Sequence, residues 1–222
     1  MRPTASYRLI LTFALAAAGA AGCSPQAPPQ DTPGNVNGGA GGGGGFRPPP
    51  VGMPGNDARA FGSAFFVEAG GRTWAVTAYH LEETFGGPAT RVVAGGVVIR
   101  LGEPLPPIGD VRWLPVTQGS PPTLPLAVNV VRRGDALLIR SARGEVNGRF
   151  ASSDFFPSVS VSDPLVFTPS DPFDANGYSG SAVVLPGNSE VLGVVVAADE
   201  PGRATQLYFE PIIVPAAAEN GP

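Results

Sequence analysis

From about Ala58 onward the chain carries its apolar residues in short runs, each cut off by Gly, Pro, Asn or Asp. No long stretch repeats with the 3.6-residue period that an amphipathic helix requires. Residues 63–68 (SAFFVE) read as a strand, Ala69-Gly70-Gly71 as a hairpin turn, and residues 72–77 (RTWAVT) as the returning strand. Further strands are expected at 96–101, 111–116, 135–141, 146–152, 165–168, 181–185, 191–198 and 205–209. Many short strands with frequent turn signals predict an all-β sandwich or barrel.

Two counts restrict the chemistry. Among 222 residues there is one cysteine, Cys23, and one histidine, His80. No intrachain disulfide can form, and a Cys/His zinc site of the usual spacing is impossible. If the chain performs acid–base chemistry near neutral pH, His80 is the only side chain whose unperturbed pKa suits it. The net charge is −4 and no basic stripe runs along the sequence, so nucleic acid is not an expected partner.

The first 57 residues read differently from the rest. Arg2 and Arg8 make a basic start, and residues 9–18 form an apolar run too short to span a membrane. Ala20-Ala21-Gly22 then lead into Cys23. This order resembles a bacterial lipoprotein signal, with Ala20 where such signals usually carry leucine. The resemblance implies a signal segment over 1–22, cleavage before Cys23, and acyl chains on Cys23. Several acyl chains anchor a protein stably where one does not. Membrane attachment through Cys23, in a bacterial cell envelope on the periplasmic face or the outer membrane, is the expectation. An ordinary secretory peptide with an incidental cysteine is the simpler alternative. Over residues 23–57, Gly and Pro make up 18 of 35 positions. Such a composition cannot bury enough apolar surface to offset its ordering entropy, so a disordered tether is expected there. As a flexible coil it would span roughly 30 Å. The folded domain is expected over 58–218.

The segment Ala175-Asn176-Gly177-Tyr178-Ser179-Gly180-Ser181-Ala182 sets a serine between two glycines, ahead of the apolar Val183-Val184-Leu185. Flanking glycines permit a tight turn that other residues resist. That turn can push the serine Oγ outward and aim successive backbone N–H groups at one point, as an oxyanion requires. A plain β-turn between two strands would use the same residues.

Upstream, Gly62-Ser63-Ala64-Phe65-Phe66-Val67, a turn, and Trp74-Ala75-Val76-Thr77-Ala78-Tyr79-His80 resemble the trypsin-like serine peptidases. In that family such a hairpin ends in a T-A-x-H motif that carries the general base. Val131-Arg132-Arg133-Gly134-Asp135-Ala136-Leu137 resembles the start of the second barrel in bacterial, disulfide-free members of the HtrA type. Residues 187–194 resemble the turn and strand after the nucleophile, the strand that walls the substrate cleft. The resemblance covers about residues 60–215. It implies a double six-stranded antiparallel β-barrel and a serine endopeptidase that needs no cofactor and acts on protein or peptide substrates.

The resemblance assigns His80 as base and Ser179 as nucleophile. The backbone N–H groups of Gly177 and Ser179 would form the oxyanion hole, with Val194, Val195 and Val196 along the cleft. Asp110 is the expected acid, opening Asp110-Val111-Arg112-Trp113-Leu114, an imperfect form of the family's D-[IL]-A-x-L. Asp135 is its rival, because Asp135-Ala136-Leu137-Leu138 also mimics that motif. Tyr178 stands where vertebrate-type enzymes carry an activating aspartate, so that ion pair is not expected. Phe173 falls at the pocket-floor position, six residues before the serine, which points to small or apolar side chains; Asp174 beside it could alter this. The same fold could instead carry an inactive module that binds peptide strands along residues 194–198. An unrelated β-rich envelope lipoprotein with a structural role is a third reading.

Overall fold

The computed structural model describes residues 51–54, 60–157 and 163–219, all within the unit Gly44–Pro222. The expected signal segment, Cys23 and residues 23–50 of the expected tether lie outside the described residues. Among the described residues no helix is long and apolar enough to cross a membrane.

Among the described residues twelve strands close into two antiparallel barrels. The first holds β1 (Val51–Pro54), β2 (Ala60–Ala69), β3 (Arg72–Ala78), β4 (Arg91–Ala94), β5 (Val97–Leu101) and β6 (Val111–Gln118), in the order β1-β2-β3-β6-β5-β4. The second holds β7 (Ala136–Ser141), β8 (Gly144–Phe150), β9 (Leu165–Pro169), β10 (Ala182–Val184), β11 (Val191–Ala198) and β12 (Leu207–Pro211), in the order β10-β11-β12-β9-β8-β7. Closure leaves no strand edge along the paired lengths, which is how a sheet this size avoids unpaired N–H and C=O groups.

Each barrel is closed around an apolar core. In β3 the run Trp74–Ala78 is buried, and Trp74 meets Trp113 of β6 edge-on at 6.2 Å. In the second barrel Phe150 touches Phe155 at 5.6 Å and Phe209 at 6.1 Å between ring centroids. Each fully buried Val, Leu or Phe side chain contributes about 1.5–3 kcal/mol relative to exposure. The β2–β3 hairpin turns on Gly70 and Gly71, both at positive φ (56° and 72°), as a two-residue hairpin turn requires. A Cβ on Gly70 would stand 2.1 Å from the carbonyl oxygen of Ala218, which lies in the short helix α2 (Ala216–Glu219) docked beneath that turn.

The linker between barrels is itself hydrogen-bonded to both. Leu124 N–H donates to Phe66 O at 2.7 Å, and Ala127 N–H donates to Val191 O at 3.0 Å. The chain therefore crosses from one barrel to the other pinned at each end.

Two strands lie outside the sequence reading. β4 was not among the expected strands. β1 falls within the Gly- and Pro-rich stretch assigned to the tether, yet it pairs with β2 and β4 and closes the first barrel. The barrel thus begins at Val51 and not at the expected boundary of 58.

Candidate active site

His80 lies two residues past the end of β3, as N-cap of the short helix α1 (Leu81–Phe85). Asp110 stands immediately before β6, the strand that pairs with β3 in the register Ala78↔Val111. That register brings the two residues side by side. Asp110 Oδ1 accepts the His80 backbone N–H at 2.7 Å, and Oδ2 meets His80 Nδ1 at 2.5 Å. Asp110 O in turn accepts Tyr79 N–H at 2.8 Å. The carboxylate so placed fixes the ring and favours the tautomer with hydrogen on Nδ1, leaving Nε2 free to accept a proton. Asp135, the rival acid, lies elsewhere. Its carboxylate accepts the Arg132 N–H at 2.8 Å and closes the turn before β7.

Ser179 sits in the loop between Phe173 and β10. Ser63 N–H of β2 donates to Ser179 O at 2.8 Å, and Gly180 N–H donates to Val195 O of β11 at 2.8 Å. The loop is therefore held by both barrels. Gly180 has φ +81°, and a Cβ there would lie 2.0 Å from Ser63 O and 2.4 Å from Thr77 Oγ1. Only a glycine permits this approach to β2 and β3. Gly62 marks the same contact from the other side. A Cβ on it would meet both the Leu81 side chain and Ser179 O, so the serine loop packs beside the residue that follows His80. Ser179 Oγ makes no hydrogen bond to any described residue.

The loop uses its amides unevenly. Asn176 N–H donates to Asp174 Oδ1, Tyr178 N–H to Ala175 O, Gly180 N–H to Val195 O and Ser181 N–H to Tyr178 O. Among the described residues the N–H groups of Gly177 and Ser179 find no acceptor. Gly177 takes the left-handed φ of +80° within this turn.

The remaining expected site residues are placed as follows. Phe173 exchanges backbone hydrogen bonds with Ala204 and packs edge-on against the buried Tyr178, 5.0 Å between centroids. Its ring joins the second-barrel core. Burial raises the Tyr178 phenol pKa; the Arg143 guanidinium works against that shift and the Asp174 carboxylate adds to it. Asp174 is exposed and accepts hydrogen bonds from the backbone and side chain of Asn176, which hold its carboxyl below the usual range. Val194 and Val195 are buried, and Val195 has both backbone groups engaged by Gly180 and Ser181. Past Val195, β11 pairs with β12 on one side, and β10 does not extend beside it. The open edge thus starts at Val196, a narrower wall than residues 194–196. Beyond it Asp199 gathers the next loop. Its carboxylate accepts Thr205 Oγ1 and the N–H groups of Gln206, Glu200 and Thr205, which lower its pKa to about 2.

Three features were not read from the sequence. Ser63, 1% exposed, forms a hub under the serine loop. Its Oγ meets Ser141 Oγ at 2.9 Å and accepts Ala142 N–H at 3.2 Å. Arg112 occupies the alanine position of the family motif. It pairs in bidentate fashion with Glu82 of α1 (2.5 and 2.8 Å), caps Leu105 O, and lies 4.4 Å over the Tyr79 ring. The departure from the motif therefore has a partner, Glu82, two residues past His80. The third feature is Glu210 of β12, whose Oε2 accepts the Asp110 N–H at 2.8 Å. Among the described residues no three His, Cys, Asp or Glu side chains stand close enough to hold a metal ion.

No family profile and no curated protein sequence matches the chain. Solved structures do. The Rv3671c protease of M. tuberculosis in its active form is similar with a TM-score of 0.51 at 20% identity, over 72% of this chain and 74% of that one. Human heparin binding protein is similar with a TM-score of 0.55 at 14% identity, over 73% of this chain and 85% of that one. The chain has the trypsin-like double-barrel fold. One of these neighbours is described as a protease and the other by the heparin it binds, so the fold alone does not decide chemistry.

Proposed function

We propose that the protein is a serine endopeptidase, held at a bacterial cell envelope by acyl chains on Cys23. Ser179 is the nucleophile. His80 takes its proton through Nε2 and passes it to the leaving amine. Asp110 orients the imidazole and stabilises its charged form. The amides of Gly177 and Ser179 receive the tetrahedral oxyanion, each donor contributing roughly 3–4 kcal/mol to the transition state. The substrate strand adds to the open edge from Val196. No cofactor enters these steps.

The observation that carries this reading is the state of the chain's one imidazole. Its Nδ1 and the adjoining backbone N–H are both engaged by one carboxylate, beside a serine loop with two unused amides. The absence of a bond from Ser179 Oγ to His80 supports a second reading, an inactive module that binds peptides or envelope proteins on the same edge. Free enzymes often hold this contact long until substrate arrives. A fluorophosphonate probe separates the two, because it reacts only with an activated serine. The expected result is labelling of the wild-type chain at Ser179, with casein hydrolysis, and neither in Ser179→Ala, whose circular dichroism is unchanged. An unlabelled wild-type chain would favour the binding module.

A further inference from the structure

Glu210 belongs to the second barrel, yet its carboxylate ends on the first. It reaches 100 positions along the sequence to accept the backbone N–H of Asp110. The approach is built into the backbone. Gly109 has φ +59°, and a Cβ there would fall 2.0 Å from Glu210 Oε2. Gly193 makes the corresponding space behind β12, since its Cβ would lie 2.3 Å from Glu210 O. Gly109 thus clears the path of the half-buried carboxylate, and Gly193 lets the Glu210 main chain lie close against β11.

The surroundings offer that carboxylate no positive charge. Among the described residues Glu210 forms no ion pair. From β11 it faces Val194, its register partner, and β9 enters the sheet at Leu165 opposite Phe209. From the first barrel it faces Asp110, the one charged group acting on it, whose own carboxylate engages His80. Arg112, two positions along, is committed to Glu82. The carboxylate that engages the imidazole is therefore itself held, through its backbone N–H, by a second carboxylate.

We propose that Glu210 is a positioning residue for the His80–Asp110 pair: it fixes the Asp110 backbone from the opposite barrel and places a second negative charge beside that of Asp110. This rests on the reading of His80 as base and Asp110 as its orienting acid. The hydrogen bond acts on geometry, because Asp110 can present both oxygens to His80 only while its main chain is held. The charge acts on basicity, because a nearby anion favours the protonated ring. Burial, reinforced by the Asp110 charge and opposed by the Asp110 N–H, holds the Glu210 carboxyl above the usual carboxylate range.

His80 is the only histidine, so an NMR titration of the imidazole reads its pKa with no need for turnover. Glu210→Gln keeps an oxygen to accept the Asp110 N–H and removes the charge. The expected result is an imidazole that takes up its proton at a lower pH than in the wild-type chain, as the loss of a nearby anion requires. An unchanged or raised value overturns the proposal. If the variant does not fold, the wild-type chain still decides. The Glu210 side-chain carboxyl resonance and the His80 ring shifts must share an inflection on the acid side, and its absence from the ring shifts overturns the proposal. The pH dependence of fluorophosphonate labelling should move its acid limb by the same amount in Glu210→Gln. A wild-type chain that does not label defeats the peptidase reading, and the imidazole titration then judges Glu210 by itself.

Discussion

Replacing Ser63 by alanine tests whether the serine loop is held by a buried polar hub. Ser63 is 1% exposed and Ser141 is 4% exposed, so water cannot replace what is lost. The substitution removes the 2.9 Å bond to Ser141 and the acceptor 3.2 Å from Ala142 N–H. The contact to Gly177 O at 3.5 Å is at the limit of a hydrogen bond and is assigned no energy. Two bonds contribute about 1 kcal/mol each, and leaving the Ala142 amide unpaired adds about another 1 kcal/mol. The expected cost is therefore about 2–3 kcal/mol, or a fall in Tm of about 5–10 °C for a domain of this size. Urea unfolding followed by tryptophan fluorescence measures it. Ser141→Ala removes the other half of the pair, so the double variant should cost about 1 kcal/mol less than the sum of the two. Ser63→Ala keeps the backbone N–H that holds Ser179 O but loses the side-chain anchors of that main chain to Ser141 and Ala142, so fluorophosphonate labelling should slow. A cost below about 0.5 kcal/mol, the range of ordinary surface changes, would refute the hub. Lost stability with an unchanged labelling rate would refute its link to the serine.

Two further outcomes are expected. Asp110→Asn presents an amide N–H to His80 Nδ1 and imposes the wrong tautomer, so turnover should fall by about ten-thousandfold, whereas Asp135→Asn should leave it near wild type; the reverse order in a peptide assay would displace Asp110. Arg112→Ala leaves Glu82 largely buried without its partner and should cost about 3 kcal/mol in urea unfolding, part of which returns in Arg112→Ala with Glu82→Gln.

What could be read from the sequence was whatever lay within one hairpin or one loop. The β2–β3 hairpin, His80 at its end and the Gly-flanked Ser179 are contiguous, and local pattern conveys them. Asp110 was readable because a short apolar strand follows it. β1 was hidden because Val-Gly-Met-Pro sits in a Gly- and Pro-rich stretch, and its pairing with β2 and β4 outweighs that composition. β4 was hidden because four residues carry too little alternation to register. The turn after it, Gly95 and Gly96 at φ 55° and 81°, is the signal that could have found it. Arg112 looked like a defect because Glu82, 30 positions away, is its reason. Glu210 gave no sign at all, since its partner lies in the other barrel.

The first strand has a practical bearing on how this protein is handled. A recombinant chain begun at Ala58, where the amino-acid pattern changes, would lack the stave that lies between β2 and β4. Both neighbours would then show bare backbone to solvent and to one another in separate molecules, inviting aggregation. β1 is thus not freely removable. Any shortened version should retain Val51, where the cylinder that carries His80 is closed.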